Sequence, residues 1–302
     1  MGELTRDNYY SQEADREYFS CSQYQSFCEC EAKAMAKITG RWVDEPTEAL
    51  VVGNYFHTYF EGPEAHAQFC RENAGKIYKK QTKKAIEAGE EPEKYAPYAL
   101  ADKMIRVAEE DDLIRSLLDL PGENEKILTG TLYGVPWRIR MDKYVPSGRM
   151  ILDYKTVSNI GELRWSDEWK SKVSFVDAYG YLMRAAVYAE IEKQNAGSDT
   201  DPDFIIIAIS KQDWPDKDVL YLNHRERWDY ELGQIKDRIQ EFQAIKEGRM
   251  LPRRCGYCDY CRATKKLHAI RPYYKLMPEF RDRREEEQDV GAGAVLADAL
   301  EA

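Results

Sequence analysis

Residues 137–157 read WRIRMDKYVPSGRMILDYKTV, and this stretch decides the fold. Apolar side chains alternate with Arg and Asp from Trp137 to Asp142, which is the period of a strand with one buried face. The segment SGR at 147–149 predicts a turn. The segment MILDYKTV at 150–157, which begins with an apolar run, predicts a buried strand after the turn. The stretch therefore predicts two neighbouring strands that run antiparallel.

Helical spacing of apolar residues flanks this stretch on both sides. Before it, the pattern predicts a charged linker at 87–97, a strand from residue 125 that turns near Tyr133-Gly134, and helices over 22–38, 46–61, 64–88 and 98–119. After it, the pattern predicts a helix near 174–194, strands at 204–210 and 218–223, and a helix over 225–247. This order indicates an α/β (α+β) fold in which a mixed central β-sheet is flanked by helices.

Length and composition suit one large domain with appendages. The chain has 302 residues, of which 43% are hydrophobic and 32% charged. We expect an N-terminal arm at 1–17, a folded domain at 18–267 with a Cys-rich segment at 252–264, and a mobile C-terminal tail at 268–302. No apolar run approaches the length of a membrane span, and the N-terminus has no signal-peptide core. These features predict a cytoplasmic protein with no membrane partner.

Two carboxylates and a lysine on the central strands form a catalytic pattern. Strand alternation places Asp153 and Lys155 on one face, and Asp142 on the neighbouring strand can converge with them. Two carboxylates hold Mg²⁺ or Mn²⁺ through oxygen ligands, and such an ion activates water against a phosphodiester. A lysine beside them stabilises developing charge. The pattern therefore predicts metal-dependent phosphodiester hydrolysis.

A D-x-K triplet alone is more often an ordinary ion pair on the surface of a strand. Here the apolar residues Met150-Ile151-Leu152 come directly before Asp153, which indicates a buried strand. Because buried charge is costly without a partner or a metal, this context favours the catalytic interpretation.

Five stretches, in order, carry a resemblance to a known family. They are YFSCSQYQSFCECEAKAMAKI (18–38), VVGNYFHTYFEG (51–62), EKILTGTLYGVPWRIRMDKYV (125–145), ILDYKTV (151–157) and YGYLMRAAVYAE (179–190). Together they resemble the RecB-like branch of the PD-(D/E)xK nuclease superfamily, and RecE-type phage and prophage exonucleases in particular. The resemblance spans roughly residues 18–267 and implies a restriction-endonuclease-like core with a helical N-terminal part.

The resemblance also implies roles for individual residues. It makes His57 a metal ligand beside Asp142 and Asp153, with the backbone carbonyl of Tyr154 completing the shell and Lys155 as the catalytic lysine.

One motif departs from the family. The family has Q-x-x-x-Y on the helix after the D-x-K strand, whereas this chain has Arg184 at the Gln position and Tyr188 at the Tyr position. Arg can contact phosphate with a bidentate fork, so Arg184 and Tyr188 are candidate DNA contacts. The alternative is that Tyr188 only packs its helix on the sheet.

The implied activity is a Mg²⁺-dependent exodeoxyribonuclease that acts on double-stranded DNA ends, 5′ to 3′, in phage-type recombination. Relatives work beside a single-strand annealing recombinase and form homo-oligomeric rings. A ring would fit the formal net charge of −10, because only its channel need be basic. Two alternatives stay open: an endonuclease or CRISPR-adaptation-like nuclease with an iron–sulfur cluster, and a non-catalytic DNA-binding protein on the same fold.

Three cysteines cluster near the end of the domain, at Cys255, Cys258 and Cys261. Both tetrahedral zinc and a [4Fe–4S] cluster need four such ligands. Resemblance to RecB-like nucleases with an iron–sulfur cluster makes Cys30 the fourth, with Cys28 as its rival. That resemblance favours [4Fe–4S] over Zn²⁺, and free thiols remain a third interpretation.

Overall fold

The described part of the chain contains strands β1 to β7, of which β1, β2, β3, β6 and β7 follow the predicted order. They are β1 (Glu123–Leu132), β2 (Val135–Val145), β3 (Met150–Val157), β4 (Arg164–Ser166), β5 (Ser171–Val173), β6 (Asp203–Ser210) and β7 (Lys217–Tyr221). The main sheet has the order β1-β2-β3-β6-β7, and β4 pairs separately with β5. The short β4–β5 hairpin was not predicted, because neither of its strands is longer than three residues.

The α-helices of the same described residues are α1 (Gln12–Glu17), α2 (Cys21–Glu29), α3 (Glu31–Ile38), α4 (Glu48–Glu61), α5 (Pro63–Glu72), α6 (Ala74–Ile77), α7 (Lys83–Glu87), α8 (Ala96–Glu110), α9 (Asp112–Leu118), α10 (Phe175–Ala178), α11 (Tyr181–Ala196), α12 (Arg225–Lys246) and α13 (Asp259–Ala263). Short 3-10 turns lie at Pro146–Gly148 and Tyr273–Leu276. Within the ranges described, no helix is both long and apolar enough to span a membrane.

The structure is a computed structural model, and it describes residues 4–267, 270 and 272–276. Most of the predicted C-terminal tail at 268–302 and the first three residues of the predicted arm lie outside these residues. The described residues form two compact units. The first comprises the described parts of Met1–Asp44 and Gly233–Ala302 together with Thr131–Arg138, and the second comprises Glu45–Gly130 and Ile139–Leu232.

The main sheet mixes parallel and antiparallel pairing, as predicted. β2 pairs antiparallel with β3, and β6 pairs antiparallel with β7. β3 and β6 run parallel over their whole length. A parallel pair needs a crossover connection, and here α10 and α11 provide it. The predicted fold class, a mixed sheet flanked by helices, is confirmed.

Four predicted helices are interrupted where the apolar period gives no warning. The predicted helix 22–38 breaks at Cys30, whose backbone is extended with φ −165° and ψ 105°. The helix 98–119 breaks at Asp111, whose carboxylate accepts hydrogen bonds from the first N–H groups of α9 and so starts a new helix. The helix 174–194 breaks at Gly180, which has a φ of 68° that glycine adopts without strain. The predicted helix 64–88 is likewise three short helices.

An aromatic cluster forms the core of the first unit. Trp137 is fully buried at the centre, with the ring centroids of Phe19 and Tyr24 5.7 and 6.0 Å away. Phe27 and Phe242 stack beside them at 5.1 Å. Burial of rings on this scale dominates the stability of a small unit, and it holds α2 and α12 together.

The core of the second unit lies on one face of β3. Leu152 and Tyr154 are buried there among apolar residues of α4 and α8, including Phe56 and Met104. Because side chains alternate along a strand, Asp153 and Lys155 face the other way. The unit thus has an apolar layer on one face of β3 and charged groups on the opposite face.

Candidate active site

The strand register brings two carboxylates together. Lys143 pairs with Leu152 in the β2–β3 ladder, so Asp142 and Asp153 follow as the next opposed residues. At this position the backbone N–H of Tyr154 donates a hydrogen bond of 2.7 Å to Oδ2 of the Asp142 side chain. The side chain of Asp153 is 2% exposed. The structure therefore places both predicted acids at one point on the sheet.

Lys155 lies between the two acids. Its Nζ is 2.5 Å from Asp153 Oδ2 and 3.9 Å from Asp142 Oδ2. It also donates to the backbone carbonyl of Tyr154 at 3.1 Å. The predicted catalytic lysine thus neutralises part of the charge that the two carboxylates concentrate here.

His57 reaches the same point from α4. Its Nδ1 is 3.4 Å from Asp142 Oδ2, and its ring centroid is 6.0 Å from that of Tyr154. One turn earlier, Gly53 faces β3, and a Cβ built at Gly53 would lie 3.5 Å from Thr156 Oγ1. The helix therefore lies directly against the strand, which brings His57 within reach of the acids.

Burial and charge set the protonation of the site. Burial lowers the pKa of His57, although Asp142 and Asp153 oppose the shift. Burial raises the pKa of Asp142, but His57, Lys155 and the Tyr154 N–H outweigh it, so the net shift is downward. A neutral imidazole beside an ionised carboxylate is the state in which both can bind a metal ion.

Helix α11 covers the charged face of β3. Arg184 Nη1 lies 4.0 Å from Asp153 Oδ1, and the guanidinium lies 5.9 Å from the Tyr188 ring centroid. Tyr181 holds its ring 5.4 Å from Lys155 Nζ, a cation–π distance. The candidate Arg184 is therefore at the site, where a bound phosphate would meet it.

Tyr188 is directed into the fold. It is 5% exposed, and its hydroxyl donates a hydrogen bond of 3.0 Å to the backbone carbonyl of Arg140 on β2. Its ring also lies 5.9 Å from that of Phe204 on β6. This position favours the packing alternative for Tyr188 over a DNA contact.

Tyr188→Phe is therefore expected to affect stability more than catalysis. The substitution leaves the Arg140 carbonyl without this donor, so the free energy of unfolding should fall by about 1 kcal/mol. Denaturant unfolding and cleavage rate measured on the same preparation check this. Unchanged stability with a large loss of DNA affinity would instead make Tyr188 a DNA contact.

The donor set fits a hard divalent cation. His57, Asp142 and Asp153 offer one imidazole and two carboxylates, and the buried Asp153 Oδ2 has the Lys155 ammonium 2.5 Å away. Among the described residues, the three donors do not all lie within 4.8 Å of one another. The Lys155 ammonium thus lies between the two carboxylates that would hold a cation.

Tyr181 and the pair Glu125–Arg140 are features that sequence reasoning missed. Glu125 is 8% exposed and its Oε2 lies 2.7 Å from Arg140 Nε, on the two strands that precede β3. The backbone carbonyl of Arg140 also accepts the hydrogen bond from the Tyr188 hydroxyl. A signal for Arg140 was present, because it alternates with the buried residues Ile139 and Met141. Nothing in the local pattern marked its partner.

The four predicted cysteines also come together, in the first unit. Cys30 Sγ is 3.6 Å from Cys261 Sγ, and Cys255 Sγ is 3.9 Å from the same atom. All four sulfurs, including that of Cys258, lie within 4.8 Å of one another, and all four residues are free cysteines. The rival Cys28 is exposed.

Comparison with known proteins gives matches of two kinds. Residues 20–264 match the model of the family described as "PDDEXK-like domain of unknown function (DUF3799)". The crystal structure of a "Putative exonuclease" from Eubacterium rectale is 32% identical with a TM-score of 0.81, and the match covers 92% of this chain and 99% of that one. A second structure, that of SSO0001, is 14% identical with a TM-score of 0.25, and the match covers 72% of this chain and 86% of that one. At this TM-score the match supports no conclusion about the fold or the function. Among curated proteins no significant match was found.

Proposed function

Since the chain belongs to this PDDEXK-like family, whose fold is that of a nuclease, we propose that it is a divalent-metal-dependent exodeoxyribonuclease acting at the ends of double-stranded DNA. The observation that carries the proposal is the convergence of Asp142, Asp153 and Lys155 on one point beside β3. The similarity to the structure named a "Putative exonuclease" supports the choice of an exonuclease.

Each residue of the site has a separate task in this proposal. Asp142 and Asp153 hold the cation through their oxygens, His57 contributes a neutral nitrogen, and the Tyr154 carbonyl completes the set. When bound, Mg²⁺ or Mn²⁺ polarises the phosphate and makes water more acidic.

The two cationic side chains act on the substrate. Lys155 offers its ammonium to the attacking water or to the charge that develops on phosphate. Arg184 holds a phosphate oxygen on the other side of Asp153. These two positive charges make the site locally favourable for a phosphate, although the formal net charge of the chain is −10.

The proposal also includes the strand polarity, the partner protein and the assembly that the resemblance implies. By resemblance, digestion proceeds 5′ to 3′, a single-strand annealing recombinase uses the strand that remains, and copies of the chain assemble around the duplex. The local positive charge of a channel would supply the DNA affinity that the net charge does not.

Linear and circular substrates test the proposal. With Mg²⁺, the protein is expected to degrade linear duplex DNA and to leave covalently closed circles intact, because the reaction starts at an end. Duplexes labelled at the 5′ or the 3′ end show the polarity by which label is released first. Rapid nicking or linearisation of circles would contradict the exonuclease and favour the endonuclease alternative.

A further inference from the structure

We propose that Cys30, Cys255, Cys258 and Cys261 bind a single tetrahedral Zn²⁺ ion, which joins the start of α3 to the C-terminal segment. The proposal is independent of the nuclease chemistry, because it rests on a cluster in the other unit. Sequence resemblance favours a [4Fe–4S] cluster at these cysteines, so the two ideas predict different metals.

The spacing of the sulfurs carries the proposal. Four thiolates around one zinc ion, with Zn–S bonds of about 2.3 Å, stand about 3.8 Å apart along each edge of the tetrahedron. In the structure, Cys261 Sγ lies 3.6 Å from Cys30 Sγ and 3.9 Å from Cys255 Sγ. In a [4Fe–4S] cluster each thiolate binds a different iron, and its sulfurs stand farther apart than the ligands of one ion. The four sulfurs, all within 4.8 Å, therefore match one ion.

Backbone N–H groups donate hydrogen bonds to two of the three C-terminal sulfurs. The N–H of Cys258 donates to Cys255 Sγ at 3.3 Å, and the N–H of Cys261 donates to Cys258 Sγ at 3.4 Å. Such donors stabilise negative charge on sulfur, which is the form that binds zinc. Two turns of C-x-x-C thus present their sulfurs to one point.

A separate set of contacts holds Cys30 against them. The N–H of Ala32 donates to the carbonyl of Arg253 at 3.0 Å, and the N–H of Arg253 donates to Glu31 Oε2 at 2.7 Å. The Arg253 guanidinium also binds the buried Glu31 carboxylate. Because Cys30 and Cys255 are close neighbours of these residues, the fourth ligand is positioned by protein contacts.

A nearby cation suits the charge of the occupied site. Zinc with four thiolates carries two negative charges. Arg254 donates to the carbonyl of Cys261 at 3.1 Å, and its guanidinium lies 5.3 Å from the centroid of the Tyr260 ring. The four residues are free cysteines, and no disulfide joins any two of them.

Metal analysis of the full chain, purified without oxygen and with both iron and zinc in the growth medium, tests the proposal. The expected result is about one zinc per chain, no acid-labile sulfide and a colourless protein. Alkylation followed by mass spectrometry should show the four cysteines unreactive until a chelator removes the zinc, after which they react together. Iron in place of zinc, with or without sulfide, or metal-free thiols that react without chelator, would overturn it.

Serine variants identify the ligands. Cys255→Ser and Cys261→Ser are expected to lose the zinc and to melt at a lower temperature, since the ion closes a loop of more than two hundred residues. Cys28→Ser, on α2 two residues before Cys30, is the matched control and should keep its zinc. Loss of zinc from Cys28→Ser, or full retention in Cys261→Ser, would overturn the ligand assignment.

Discussion

Asp153→Asn is expected to reduce DNA cleavage by roughly 10³-fold or more, while the protein stays folded. The side chain of Asp153 is 2% exposed, and it is the acid nearest to both Lys155 and Arg184. Asn keeps its shape but removes the negative charge that a divalent cation needs. Lys155 then retains Asp142 at 3.9 Å as a partner, so the loss of one carboxylate should cost little stability.

Initial rates on a linear duplex, measured with saturating Mg²⁺, check this expectation. Asp218→Asn is the control, because Asp218 is an exposed residue of β7 whose side chain, among the described residues, accepts a hydrogen bond only from the N–H of its neighbour Val219. That variant should cleave at the wild-type rate. Thermal unfolding should show both variants folded. Wild-type cleavage by Asp153→Asn would remove the assignment of this residue as a metal ligand.

Lys155→Met is expected to lower the maximal cleavage rate by roughly a hundredfold or more without weakening metal binding. Met is an unbranched apolar side chain of similar size, but it removes the ammonium that lies 2.5 Å from Asp153 and 5.4 Å from the centroid of the Tyr181 ring. Because that ammonium competes with a cation for the carboxylates, the Mg²⁺ concentration at half-maximal rate should stay the same or fall.

The separation of rate from metal affinity makes this test specific. If Lys155 only held the strands together, its replacement would lower the free energy of unfolding. The Mg²⁺ concentration at half-maximal rate would then change only as a consequence of that loss of stability. Lys217→Met is the control. Lys217 belongs to the same unit, pairs with Asp111, and is distant in sequence from Asp142 and Asp153. An unchanged maximal rate in Lys155→Met would reduce Lys155 to an ion-pair partner of Asp153.

The sequence predicted the central strands well because local chemistry decides them. The strand Met150–Val157 was predicted with the bounds that the structure has. The hairpin turn at Tyr133-Gly134 and the alternation from Trp137 to Asp142 were also correct. In these segments the side-chain period, the turn residues and the burial all favour one structure.

The breaks in the helices were missed because a cap competes with a continuous apolar period. At Asp111 the carboxylate bonds to two N–H groups ahead of it, and this outweighs the helical pattern on either side. At Cys30 the backbone is extended and the next helix starts at once. A pattern of apolar residues records which face is buried, but it does not record these local bonds.

The sequence named residues that the structure brings together, but it did not predict their geometry. Resemblance identified His57 and chose Cys30 over Cys28, and the structure brings His57 to Asp142 and Cys30 to Cys261. The position of Lys155 between the acids depends on the register of β2 against β3 and on the ring of Tyr181. These are long-range contacts, to which a single sequence gives no direct signal.

Hydrolysis of a linear duplex labelled at its ends, followed with Mg²⁺ and then with excess chelator, tests the central claim most directly. The account predicts steady release of labelled nucleotides with Mg²⁺, none with chelator, and recovery when Mg²⁺ is restored. The same assay on Asp153→Asn should show no release in any condition. Release that continues in chelator, or that is equal in wild type and Asp153→Asn, would contradict a metal-dependent nuclease centred on Asp142, Asp153 and Lys155.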